Sequence, residues 1–247
     1  MSEAKQLYRD LMNVLLPILP RKIYGDIRRV ANLVRAIIGL CLTYTVRLEA
    51  WSEILESRPQ YAASRVRRFA RFLHNAAIDP HEWYKPFVQA VLKDWPADMQ
   101  LYIALDTTAL TPFVLIRVSL LYRERAIPLA WRALLRASTK VSFADYQPVL
   151  EQVCALIPEG MVVTLLADRG FVHKQLIQYA HNHHWHIRLR LTGNTLVHLP
   201  QHNPCQIREL CPPVGHASFF HHIALLGTVI GPLHLAVALA EDQPDDP

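Results

Sequence analysis

Two aspartates stand where a carboxylate needs a reason. Asp106 closes the run Leu-Tyr-Ile-Ala-Leu-Asp-Thr-Thr, and Asp168 closes the apolar part of Val-Val-Thr-Leu-Leu-Ala-Asp-Arg-Gly-Phe. Each preceding run reads as a buried strand, and a carboxylate at its edge needs compensation for lost hydration. At the carboxyl end of a strand in an open α/β sheet, such a group lies where ligands gather. If the two strands are neighbours, the carboxylates repel one another, and a divalent cation resolves the conflict. Oxygen donors with no Cys or His beside them favour Mg²⁺ or Mn²⁺ over zinc. The alternative is a pair of unrelated aspartates, each shaping a turn or capping a helix.

The surrounding pattern predicts the elements that position them. Residues 101–106, 112–122 and 125–134 read as strands, the last two joined by the polar turn Tyr122–Arg125. Tyr146, Val149, Leu150, Val153 and Leu156 mark a helix over 144–157, stopped by Pro158-Glu159-Gly160. A β-branched strand (161–167), a helix (171–184) and a strand (185–191) follow. The order β-β-β-α-β-α-β predicts an α/β fold, a mixed sheet with helices on its faces. Residues 192–240 read as short strands punctuated by Pro and Gly, without a helix, and the acidic tail from Glu241 as loose. Ile223 to Ala240 is apolar enough to suggest a membrane span, but Gly231-Pro232 at its centre predicts two short strands around a turn.

Residues 1–95 read as helical. Ile27, Val30, Ala31, Val34, Ile37, Ile38 and Cys41 recur at helical spacing. A short helix over about 47–56 presents Leu48, Trp51 and Leu55, and Ser57-Arg58-Pro59 breaks it. The next helix, about 61–74, places Val66, Phe69 and Leu73 on one line and Arg65, Arg67, Arg68 and Arg71 on the remaining surface. A short helix, a break and a basic helix form a helix-turn-helix-like order able to meet phosphates, to which Arg28 and Arg35 add charge. Asp79-Pro80 starts another helix with Trp83, Phe87, Val91 and Leu92 inward. Trp95-Pro96-Ala97-Asp98 reads as a boundary between a helical domain (1–97) and an α/β domain (98–247).

Charge supports that division. Of the 247 residues, 51% are apolar and 19% charged, which excludes a disordered chain. The formal net charge of +5 lies wholly within residues 1–100, with 15 basic and 10 acidic side chains, whereas the remainder balances at 11 and 11. That asymmetry points to a polyanionic partner, double-stranded DNA, unless it only solvates a helical surface. Cys41, Cys154, Cys205 and Cys211 are scattered and read as reduced thiols of a cytoplasmic protein, and the N-terminus lacks a signal peptide's order. Among thirteen histidines, Cys205, Cys211 and His216 with His221 or His222 miss the zinc-knuckle spacing. His181, His183, His184 and His186 read as surface groups near a helix end.

The motifs ALDTT (Asp106), Ile127-Pro128-Leu129-x-Trp131, LADRGF (Asp168), SRVRRFARFLHN (64–75) and WHIRLRLTGN (185–194) occur in an order that resembles bacterial insertion-sequence transposases of the DDE superfamily. The resemblance is to the group whose RNase H-like catalytic domain carries a β-rich insertion, here about 192–240. It implies that Asp106 and Asp168 are the first two acidic ligands of a two-metal Mg²⁺ (or Mn²⁺) centre that hydrolyses phosphodiesters and transfers strands. It further implies an N-terminal DNA-binding domain, element terminal repeats and target DNA as partners, a homodimer, and no membrane. Arg169, next to the second ligand, would contact a phosphate or close a salt bridge on the sheet rim.

The family's third acid lies in a helix signature, Tyr-x2-Arg-x3-Glu-x6-Lys, after the insertion. No tyrosine here begins that pattern, and Glu209 and Glu241 lack its context. The expectation is a chain cut short before the catalytic Glu, able to bind DNA and poor at cutting it. The alternatives are a non-catalytic DNA-binding relic acting through residues 1–95, and an unrelated metal-dependent nuclease.

Overall fold

A computed structural model describes residues 3–54, 61–96, 99–136, 138–225 and 228–239. The expected break at Ser57-Arg58-Pro59, the Ala97-Asp98 part of the boundary, Glu241 and the acidic tail lie outside the described residues. The chain divides into two compact units, Met1–Trp95 and Pro96–Pro247.

The first unit is helical: α1 (Glu3–Ile18), α2 (Arg21–Tyr24), α3 (Ile27–Thr43), α4 (Leu48–Ile54), α5 (Ala62–Leu73) and α6 (Pro80–Lys93). Asp26 caps α3 and Asp79 caps α6, each accepting from backbone N–H groups of the first turn. Val30, Val34 and Ile38 of α3 join Leu19, Trp51, Phe69 and Trp83 in one core. Ile27 and Cys41, at the ends of the expected stripe, are exposed.

Trp51 is the pivot of this core. Its indole covers Gly39 so closely that a Cβ there would sit 2.6 Å from Trp51 Cγ. Its Nε1 donates to the Thr45 carbonyl at 2.7 Å, and its ring meets Phe69 edge-on at 5.6 Å. The Phe69 contact sets the rotation of α5. Leu73, expected inward, is 56% exposed, while Arg65 and Arg68 are half-buried. On α6 the inward residues are Trp83, Val88 and Leu92, with Phe87 half-buried and Val91 turned outward.

The second unit carries a five-stranded mixed sheet, order β3-β2-β1-β4-β5, built from β1 (Leu101–Leu110), β2 (Phe113–Tyr122), β3 (Arg125–Leu135), β4 (Val163–Ala167) and β5 (His186–Leu189). The pairs β1–β2 and β2–β3 are antiparallel, and β1–β4 and β4–β5 are parallel. Arg123 and Glu124, both at positive φ, form the tight β2–β3 turn. One sheet face holds Ile103, Leu105, Val118, Leu120 and Leu165, all 3% exposed or less. Helix α7 (Phe143–Cys154) packs against β2 and β3. It opens with a capping box between Ser142 and Asp145, and Arg136 bonds Asp145 at 2.9 Å. Helix α8 (Lys174–Asn182) links β4 to β5, and a 3-10 turn (Arg169–Phe171) takes up the start of the helix expected from 171.

A second sheet, order β7-β6-β8-β9, comprises β6 (Leu196–His198), β7 (Cys205–Gln206), β8 (Ala217–Leu225) and β9 (Thr228–Ala238), with a 3-10 turn at Ile207–Leu210. Gly231-Pro232 does not separate two strands: β9 runs through it, and β8 ends earlier, at Leu225. Proline is tolerated there because β9 is the sheet's edge and the pairing is irregular between Ile223 and Leu225. The α/β class holds, with a helical N-terminal part followed by sheets.

Gly39→Ala is expected to destabilise the chain by about 1–3 kcal/mol through overpacking against Trp51. In a Trp51→Leu background the penalty should shrink. Urea unfolding followed by circular dichroism measures both, and equal penalties would show that the indole is not the obstacle.

Candidate active site

The β1–β4 register decides whether the two aspartates meet. Leu105 pairs with Ala167 in the parallel ladder. Asp168, at φ −79° and ψ 171°, continues the extended path of β4 by one residue. Asp106 therefore stands beside Asp168 on the adjacent strand, about 5 Å away by the spacing of paired strands. The two carboxylates that the sequence singled out share one rim of the sheet.

Their settings differ from the expected pair of strand ends. Asp168 does follow the last residue of its strand, but Asp106 lies inside β1, which runs on to Leu110. The cause is the antiparallel partner. Strand β2 keeps pairing from Asp106↔Arg117 to Leu110↔Phe113, while β4 has already ended. Beyond Asp106, β1 has a ladder on one side only, which lets the polar Asp-Thr-Thr stretch stay in the sheet and remain accessible.

The neighbours are cationic. Arg117 Nη2 lies 3.5 Å from Asp106 Oδ2 across the β1–β2 ladder, with the two side chains 34% and 57% exposed. An ion pair this long and this exposed is weak, so it does not hold Asp106 against a stronger partner. On the other flank, Arg190 N donates to the Ala167 carbonyl at 3.1 Å and carries β5 alongside Asp168. The order across the rim is Arg117, Asp106, Asp168, Arg190, a charge pattern of plus, minus, minus, plus. A pocket of about 370 Å³ opens on the same rim, walled by residues 104–105 and 166–167, Asp168, Arg188 and Arg190.

Arg169 begins the 3-10 turn directly after Asp168, and Phe171, 4% exposed, anchors that turn against Tyr146 with ring centroids 5.4 Å apart. Arg117, Arg188 and Arg190 were not singled out in the sequence. Two signals could have found them. A hairpin that sets Leu110 opposite Phe113 sets Asp106 opposite Arg117 by counting, and the alternation in His-Ile-Arg-Leu-Arg-Leu puts Arg188 of β5 and Arg190 just after it on one face.

In the helical unit the arginines divide. Arg67 and Arg71 are exposed on α5. Arg68 is held below the usual guanidinium range by desolvation first, then by repulsion from Arg35 and Arg71, so these three form one electropositive cluster. Arg65 is half-buried, and its Nε has no hydrogen-bond partner among the described residues. Arg35 lies over the Tyr8 ring, 5.1 Å from its centroid. Arg28 bonds the capping Asp26 at 2.6 Å, which lowers the Asp26 carboxyl and neutralises that corner.

Among the described residues no three His, Cys, Asp or Glu side chains converge as a ready metal site, so neither a third acid beside Asp106 and Asp168 nor the Cys205, Cys211 and His216 set is assembled. No single helix among them is long and apolar enough to cross a membrane. Comparisons with protein-family models and with curated proteins gave no match.

Removing the cation beside Asp106 should strengthen cation binding at the rim. Arg117→Gln is expected to tighten Mn²⁺ several-fold and Asp168→Asn to weaken it by about tenfold or more, read by isothermal titration calorimetry. Identical affinities in all three proteins would place any bound Mn²⁺ elsewhere.

Proposed function

We propose that this chain is a DNA-acting protein of the DDE transposase type, binding double-stranded DNA through its helical unit and phosphodiesters at the Asp106–Asp168 rim. One observation carries the reading: two aspartates 62 positions apart in the sequence fall side by side where β4 ends and β1 continues. The 3-2-1-4-5 strand order, with only β2 antiparallel to the other strands, supports an RNase H-like sheet. The β-rich segment after β5 supports the inserted subgroup.

The rim fits Mg²⁺ (or Mn²⁺) because that ion takes one or two carboxylates and leaves its other positions to water and phosphate oxygens. When bound, it supplies charge stabilisation at a phosphodiester undergoing in-line displacement. The chain's own residues do the rest. Asp106 and Asp168 would hold the cation at the rim, with Asp168 alone of the two lining the pocket, and Phe171 fixes the turn that orients Asp168. Arg188, Arg190 and Arg169 seat the DNA backbone beside it. Arg67, Arg71 and the Arg35–Arg68–Arg71 cluster bring the duplex in, because phosphate binding relieves their mutual repulsion. Paired DNA ends would be served by a homodimer in the bacterial cytoplasm, associated with the nucleoid when on DNA.

A second reading has its own support. Two carboxylates without a grouped third, one of them paired with Arg117, suit a chain that binds DNA and cuts it poorly or not at all. The two readings separate when the full chain is incubated with duplex DNA carrying its terminal repeats and Mg²⁺ or Mn²⁺. Metal-dependent strand cleavage lost in Asp106→Asn and in Asp168→Asn supports the enzyme. Binding without cleavage in the parent chain supports the relic.

Joint replacement of Arg65, Arg67, Arg68 and Arg71 by Gln is expected to lower DNA affinity and flatten its dependence on salt, by up to about 0.9 in log–log slope for each phosphate no longer neutralised. Fluorescence anisotropy at several salt concentrations measures this. An unchanged slope would move DNA binding off α5.

A further inference from the structure

Three histidines meet on the β8–β9 ladder, well away in sequence from the aspartate pair. Phe220 pairs with Leu235 and Ile223 with Leu233, so His221 and His222 together oppose the single residue His234. This is a β-bulge, and His222 takes its positive φ of 55°. The bulge has a packing cause. The extra residue returns Ile223, 2% exposed, to a core that also holds Leu225, Leu235 and Val237. Without it, the alternation would turn Ile223 outward and His222 inward. With it, His221, His222 and His234 are all exposed.

The rings of His221 and His234 are in register across the ladder. Their Nδ1 atoms are 3.0 Å apart and their centroids 5.0 Å, with His222 5.8 Å from His234. Two neutral imidazoles with Nδ1 facing Nδ1 are compatible only if one carries its proton there as donor and the other accepts. Two protonated rings would repel. A single cation accepted by both lone pairs removes either restriction. Donor atoms at about 2.0–2.1 Å from one zinc-type ion come about this close to each other.

We propose that His221 and His234 form a site for one late first-row divalent ion, Zn²⁺ or Cu²⁺, bound through both Nδ1 atoms with water in the remaining positions. Imidazole nitrogen selects these ions over Mg²⁺, so the site is chemically separate from the carboxylate rim and does not rest on the function proposed above. Binding moves the proton of the donor ring from Nδ1 to Nε2. Protons compete with the ion for both lone pairs. A cation there also ties β8 to β9 across the bulge, one of two places where that ladder shifts register.

The test uses the full chain, freed of metal with a chelator and titrated with Zn²⁺ in excess Mg²⁺, which competes at carboxylates and not at imidazoles. One Zn²⁺ per chain is expected, with a raised thermal midpoint. His221→Gln and His234→Gln should each weaken Zn²⁺ by about tenfold or more and abolish the thermal shift. His202→Gln should bind as the parent does. Affinity unchanged in both variants, or no Zn²⁺ bound by the parent, leaves only a hydrogen-bonded pair and overturns the site. Should either variant fail to fold, the Cu²⁺ electron paramagnetic resonance spectrum of the parent decides. Two coupled nitrogens support the site, and none or one overturns it.

Discussion

The parallel pairing of β1 with β4 is the constraint on which the functional part of this structure depends. Side chains alternate at a period of two, so a slip of one residue would send Asp106 and Asp168 to opposite faces of the sheet. That slip is opposed from the other face. Leu101, Ile103 and Leu105 on β1, and Val163 and Leu165 on β4, are 3% exposed or less, and the slip would turn one of these two sets to the outer face. At about 25 cal/mol per Å² of apolar surface, even the two side chains of β4 outweigh the repulsion of two exposed carboxylates. The core therefore holds together two like charges that would otherwise separate.

Unequal strand lengths then make the pair useful. Because β4 stops at Ala167 while β1 continues with β2, Asp106 keeps a rigid backbone and Asp168 gains the conformational freedom to begin the Arg169–Phe171 turn. Phe171 returns that turn to the core against Tyr146, whose hydroxyl in turn meets His173 Nδ1 at 2.7 Å. Burial pushes the Tyr146 hydroxyl far above its ordinary range, so it stays protonated and able to donate to His173. The helical unit shows the same division between an anchored aromatic and an accessible charge. Trp51 and Phe69 fix α5, and the rotation they impose leaves Arg67 and Arg71 outside while Arg65 and Arg68 share the inner flank.

What was legible in the sequence followed from period and punctuation. Largely apolar runs such as Val163–Ala167, and the helical spacing of Tyr146, Val149, Leu150 and Val153, carry their own assignment because burial alone produces them, although the strand expected from Met161 begins two residues later, after the exposed Val162. The end of β1 did not, because whether Asp-Thr-Thr-Ala-Leu stays in a strand depends on how far β2 pairs, a tertiary matter. The inner line of α5 misled for a similar reason. Val66, Phe69 and Leu73 have the right spacing, yet one edge-on aromatic contact outweighed a leucine's preference for the core. Gly231-Pro232 looked like a turn because that pair usually punctuates, and only the edge position of β9 explains why it does not. The two aspartates were legible as residues, but their adjacency, and the arginines on either side, required the register.

The alternating row at the rim has a consequence for how ligands arrive. Arg117, Asp106, Asp168 and Arg190 sum to no net charge, and Arg188 in the pocket wall leaves the bare rim one positive charge in excess. A divalent cation held between the carboxylates, as proposed, would add two positive charges and favour phosphate there. Phosphate oxygens in turn fill coordination positions that two carboxylates leave open. By linkage the two ligands must strengthen each other's binding by the same factor. Under the proposed function, a rim of two acids flanked by bases would act as a coincidence device, taking metal and nucleic-acid backbone weakly alone and well together. Arg117 would sharpen it, because releasing Asp106 to a cation would also free a guanidinium to meet the phosphate that follows.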